Sequence, residues 1–137
     1  MNKGKFIFSQ VIDFLPRYEF DKIVNKYKGD YRYRHLTSYN HLLHLIFGQL
    51  SACGSLRDIC LCLKAHEKWL YHLGFRQTVN ESSLSRAGEN RDYHIFEELG
   101  TILIKWQDRF MKRKIFQMSG YLNGRSLHWT PQQYHAV

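Results

Sequence analysis

The segment SYNHLLHLIFGQLSA, residues 38–52, sets Leu42, Leu43, Leu45, Ile46, Phe47 and Leu50 so close together that a helix here keeps no polar side of any width. A helix that is apolar around most of its circumference needs cover from the rest of its chain. It reads as a central buried helix, with Thr37 or Ser38 available as its cap. His41 and His44 lie three apart on it with no carboxylate or cysteine alongside, and are expected at its boundary rather than on a metal ion.

The neighbouring segments have the periodicity to supply that cover. FSQVIDFLPRYEFDKIVNKYKGD reads as two short helices parted at Pro16, because proline suits a first turn and disfavours helix in the residue before it. Phe14, Leu15, Phe20, Ile23, Val24 and Tyr27 recur there at three- and four-residue steps, and Gly29 is expected to close the stripe. After Gly54, the run SLRD fits a capping box in which Ser55 accepts from a free backbone N–H and Asp58 reaches back. The helix it opens turns Leu56, Ile59, Cys60, Leu63 and Leu70 inward, and Gly74 in YHLGF is expected as a left-handed stop.

Residues 92–114 repeat the pattern at greater length, with Tyr93, Ile95, Phe96, Leu99, Ile102, Leu103, Trp106 and Phe110 on one stripe. Lys112, Arg113 and Lys114 complement the negative end of that helix. Beyond Phe116 the periodicity stops, and residues 117–137 are expected as an unstructured tail. The fold expected is therefore all-α: one compact multi-helix domain over residues 1–116, which suits a chain of 137 residues.

A formal charge of +8, from 20 Lys and Arg against 12 Asp and Glu, predicts attraction to a polyanion such as DNA or RNA. The longest apolar run, Leu42 to Phe47, is far below the ~20 residues that span a bilayer, so no membrane partner is expected. The start MNKGKFIFSQ has no apolar core of the signal-peptide kind, so a cytoplasmic, nucleoid-associated location is expected. Cys53, Cys60 and Cys62 are an odd set and are expected as reduced thiols. Cys60, Cys62 and His66 lack the paired spacings of a zinc site, and small buried hydrophobes are the simpler account of the cysteines. His66 and His72 with Glu67 or Glu81 have no spacing that recommends acid–base chemistry, so no small-molecule substrate is expected.

Two polar stretches are left for function. YRYRHLT, residues 31–37, alternates aromatic and basic side chains and reads either as a short strand or as an extended linker. It leaves open whether Arg32 and Arg34 are merely solvated or contact a nucleic-acid backbone. SSLSRAGENRDY, residues 82–93, follows a cap at Asn80 or Ser82 and makes a second short helix after SLRDICLCLKA, the order of a helix-turn-helix unit. Leu84 and Ala87 would hold this helix to the body while Ser82, Ser83, Ser85 and Arg86 face outward. Arginine pairs bidentately with guanine, asparagine such as Asn90 with adenine, and serine hydroxyls with phosphate or either base. Roughly fifteen residues separate the two helices where the compact motif uses three or four, so a groove-reading helix needs an elaborated turn and a solvated helix–helix link stays open.

Taken in order, FSQVIDFLPRYEFDKIVNKYKGD, FGQLSACGSLRDICLCLKAH, YHLGF and SSLSRAGENRDYHIFEE resemble the N-terminal domain of insertion-sequence DDE transposases of family four, over about residues 3–105. That resemblance implies a module that binds double-stranded DNA at the terminal inverted repeats of a mobile element, ahead of an RNase-H-like catalytic part. The implied base contacts fall on Arg86, Asn90 and Arg91, with Arg32, Arg34, Lys112 and Arg113 on phosphates. The catalytic part needs three carboxylates on two metal ions, and neither these nor the family's Tyr-Arg-Glu-Lys signature have counterparts here. No catalytic or metal-binding residue, and no cofactor, is therefore expected in this chain itself. An active transposase would draw its catalytic part from another chain or from programmed frameshifting.

Two departures from the family pattern stand out. Gly88 takes the place of the usual Asn, which weakens the helix and removes one adenine-reading side chain. Where family members continue into a strand of the type ALDSTTIS, this chain reads SLHWTPQQYHAV. Back-translation with TCT TTG CAC TGG ACT CCA CAA CAA TAT CAT, read from the third base of the Ser126 codon, yields Phe-Ala-Leu-Asp-Ser-Thr-Thr-Ile-Ser. A frameshift just before the catalytic part is the expectation that follows. A different role would be an interaction module that self-associates, or that pairs with full-length transposase and inhibits it, through the stripe over residues 92–114.

Overall fold

The structure, a computed structural model, describes residues 6–123, with side chains up to residue 117. It is all-α: α1 (Ile7–Asp13), α2 (Arg17–Lys26), α3 (Ser38–Leu50), α4 (Leu56–Ala65), α5 (Glu81–Asn90) and α6 (His94–Asn123), with a short 3₁₀ helix at Glu67–Trp69. No strand occurs among the described residues, so YRYRHLT is a run of turns and bends rather than a strand. The chain divides into two compact units at Leu99 and Gly100.

In the first unit the caps and breaks follow from local chemistry. Pro16 stands at the N-cap of α2 and parts it from α1. Thr37 accepts from the Asn40 amide at 3.2 Å, Ser55 from the Asp58 amide at 3.1 Å, and Asn80 from the Ser83 amide at 2.9 Å, each satisfying a donor that the first turn leaves free. Gly74 adopts φ 89°, as a left-handed stop requires. The end of α2 differs from expectation: Lys28, not Gly29, takes the left-handed conformation at φ 51°. Gly29 is instead a close-approach residue, since a Cβ there would press into Ile95 and the Ser38 hydroxyl.

Phe8, Leu43, Ile59, Leu63, Leu70, Leu73 and Phe75 form the main core, with Ile46 and Phe47 packed against it. Fully burying each such side chain stabilises by roughly 1.5–3 kcal/mol. α3 and α4 approach closely at Gly48, where any Cβ would collide with Ile59. Three large residues of the expected stripes in this unit lie outside the core: Phe14 is 80%, Leu50 58% and Tyr93 67% exposed, each at or next to a helix end. His41 and His44, expected at the boundary of α3, are buried at 3% and 0% exposure, because polar partners are available inside the fold.

A second, smaller cluster joins Leu36, Leu84 and Ala87 to Leu56, Cys60, Val79 and Tyr33. It fixes α5 on α4, with Leu56 shared between the two clusters. All three cysteines are free thiols, and burial pushes the thiols of Cys53 and Cys60 up. Because α5 rests on two fully buried side chains, its own helix propensity bears on its stability. A Cβ at Gly88 meets nothing within 4 Å, so Gly88→Ala is expected to stabilise the domain by up to about 1 kcal/mol. A rise in thermal midpoint checks this; a fall would mean that the α5 backbone is not helical at that position.

α6 begins in the first unit, where Ile95 and Leu99 are buried, and runs through Gly100 to Asn123 in the second. Residues 117–123, expected as tail, are thus helical, since a helix already nucleated needs only tolerable propensity to extend. Residues 124–137, with the rest of the expected tail and the segment bearing on a frameshift, lie outside the described residues. In the second unit Trp106, Phe110, Met111, Ile115 and Phe116 are exposed.

Candidate nucleic-acid interface

The N-terminal half of α5 and the bend preceding α3 face one another across an open groove of about 400 Å³. Arg32, Arg34, His35 and Leu36 line one side, and residues 77–80 with Ser83 and Arg86 the other. Among the described residues no carboxylate lines the groove, while three arginines do. The N-terminal end of α5, the positive end of its helix dipole, lies on the same wall.

Of the site residues expected from sequence, Ser82, Ser83 and Arg86 are exposed on α5, and Arg32 and Arg34 are exposed on the bend. Ser82 donates to the Asn80 side chain at 3.1 Å, which leaves its oxygen to accept. Ser85 is half-buried and donates to Glu89 at 3.2 Å, so its hydroxyl is less available than expected. Asn90 is exposed, but its amide donates back to the Arg86 carbonyl at 3.0 Å. Lys112 and Arg113 are exposed in the second unit.

Arg91 corrects the expectation that it reads bases. Its side chain is fully buried, donating to the Leu36 carbonyl at 2.6 Å, the Gly29 carbonyl at 3.2 Å and His41 Nδ1 at 3.0 Å. The Tyr33 ring stacks on the guanidinium with its centre 4.2 Å away, and Asp30 lies at 4.0 Å. Burial draws the guanidinium below its ordinary range, and the Asp30 carboxylate opposes that shift. A buried charge is tolerable when hydrogen bonds and an opposite charge replace its water, and all of these are present. The clue in the sequence is spacing: Leu84, Ala87 and Arg91 stand at i, i+3 and i+7, which puts Arg91 on the buried stripe of α5.

Among the described residues no group of three or more His, Cys, Asp or Glu side chains is placed to hold a metal ion. Nor is any helix there long and apolar enough to cross a membrane. A family model described as a domain of unknown function, DUF4372, matches residues 3–76, more than half of the chain. The chain belongs to this family. The DUF4372 match takes in α1 to α4 and the bend with Arg32 and Arg34, and stops just before the segment that leads into α5. No curated protein and no solved structure matches the chain.

Proposed function

We propose that this DUF4372 domain binds double-stranded DNA, with the groove between the 32–36 bend and α5 seated on the phosphate backbone. The observation that carries the proposal is the convergence of Arg32, Arg34 and Arg86 on one concave face that no carboxylate lines among the described residues. Salt-dependent affinity for DNA comes from such contacts, because each neutralised phosphate releases counterions. Arg86, exposed on a helix that packs beside α4, is the side chain suited to a guanine edge; Ser82 and Ser83 suit phosphate oxygens. The order α4, elaborated connection, α5 is that of a helix-turn-helix unit with a long turn.

The resemblance to insertion-sequence transposases makes terminal inverted repeats the expected target. Strand cutting and joining would belong to the family's catalytic part, whose metal-binding carboxylates have no counterpart in this sequence. Gel shifts with element ends and with random duplex, across a salt series, test the proposal. Arg86→Ala is expected to weaken binding to element ends by about 5- to 150-fold and to relax sequence preference, the range of a lost base contact. Arg32→Ala and Arg34→Ala are each expected to weaken binding to every sequence alike and to reduce the salt slope by about one. Equal affinity for random and element DNA at all salt concentrations would count against specific readout.

The exposed Trp106, Phe110, Met111, Ile115 and Phe116 favour a second reading, an interaction module that pairs with full-length transposase or with itself. Co-purification with a full-length relative, lost when Phe110 and Phe116 become Ser, would support it.

A further inference from the structure

We infer that Arg91 is a positioning residue that holds the 29–36 segment in place, so that Arg32 and Arg34 stand opposite Arg86 across the groove. This inference rests on the DNA-binding reading for its consequence, though not for its geometry. The segment between α2 and α3 has no regular structure of its own from residue 31 to residue 37. Its internal bonds are two local turns, Tyr31 N–H to Lys28 and Tyr33 N–H to Asp30, at 3.0 and 3.1 Å. Arg32 sits in the left-handed region at φ 71°, a conformation that costs a non-glycine residue free energy and persists only where the surroundings hold it.

Arg91 supplies that hold. Its guanidinium donates to a carbonyl at each end of the segment, Gly29 at 3.2 Å and Leu36 at 2.6 Å, and stacks on Tyr33 between them. The planar fork of arginine can serve three acceptors and one ring face at once, whereas a lysine ammonium in the same place cannot. Arg91 is also the C-cap residue of α5, its N–H bonded to the Ala87 carbonyl at 3.0 Å. One residue therefore ties the helix bearing Arg86 to the bend bearing Arg32 and Arg34. At the start of the segment, Asp30 accepts from the Ser38 amide at 2.5 Å, which anchors the bend to the start of α3.

Amide hydrogen exchange on the free chain tests the positioning role without DNA. In Arg91→Lys, the Tyr31 and Tyr33 amides are expected to exchange at least tenfold faster, while core amides around Leu43 and Leu63 keep their protection. Should Arg91→Lys unfold the chain, Tyr33→Ala serves instead, because it removes the stacking face without leaving a buried charge unpaired; the same acceleration is expected. Unchanged exchange at residues 31 and 33 in the folded variant overturns the inference.

The second readout is a double-mutant cycle on element-end DNA. Arg91→Lys is expected to weaken binding and lower the salt slope as the Arg32→Ala/Arg34→Ala pair does, and to add little when combined with that pair. Fully additive losses would mean that Arg91 acts elsewhere, and would also overturn the inference. If instead no arginine variant alters DNA binding, the DNA reading fails, and the exchange result still decides whether Arg91 positions the bend.

Discussion

Phe75→Ala is expected to cost about 3–5 kcal/mol of folding stability, the largest single-residue effect anticipated here. Phe75 is 2% exposed and stands where α1, α3 and the turn after Gly74 meet. Its ring stacks on Phe8 at 5.7 Å and makes T-shaped contacts with His44 at 4.9 Å and Phe47 at 6.2 Å. Truncation removes all three aromatic contacts together and leaves a cavity whose walls are held by two separate helices, α1 and α3, so collapse can recover little. A domain of this size has only about 5–15 kcal/mol to lose, so the variant should be marginal at room temperature. Urea unfolding followed by circular dichroism measures the loss; a value below about 1 kcal/mol would mean that the turn after Gly74 is not packed on α1 and α3. Phe75→Leu, which keeps part of the volume, should fall between the two.

Phe75 also shows how far sequence patterning reaches. Helix starts were legible because capping is local: Thr37, Ser55 and Asn80 each bond an amide three residues away, and Pro16 parts α1 from α2 by its own ring. The α4 and α5 faces were legible too, since Ile59 and Leu63, and then Leu84 and Ala87, recur at three or four residues and are buried. The candidate site was legible only in part. That Arg32, Arg34 and Arg86 share one groove depends on chain segments about fifty residues apart, which no spacing rule connects. The burial of Arg91 is hidden in the sequence for the same reason, because the carbonyls that make it tolerable lie 62 and 55 residues away. A charged residue near a helix end looks solvated until its acceptors are found. The reach of α6 past residue 116 was hidden because helix extension needs no apolar period.

The burial of the α3 histidines has a consequence in pH. His41 is held down to about 4 by burial, then by the adjacent Arg91 charge and by His44. Burial likewise lowers His44, against the opposing effect of its bond to the Asn40 carbonyl. In the unfolded chain a histidine takes up its proton near 6.5, so between 6.5 and 4 the unfolded state binds protons that the folded state refuses. Stability is therefore complete above pH 6.5 and falls as the pH drops through this window. From His41 alone the loss is about 2 kcal/mol at pH 5 and about 3 kcal/mol at pH 4, and His44 adds in the same direction. The carboxylates lowered by partners, Asp92 beside His94 and Glu98 beside Lys26, give up stability only below the ordinary carboxylate range, so the span from pH 6.5 to 5 isolates the histidines. His41→Asn keeps an acceptor for Arg91 and removes the His41 titration; the gap between urea midpoints at pH 7 and pH 5 should be clearly narrower in that variant than in the parent, with His44 accounting for what remains. Equal divergence in both would mean that His41 is protonated inside the fold, and that the Arg91 fork is not directed at its ring.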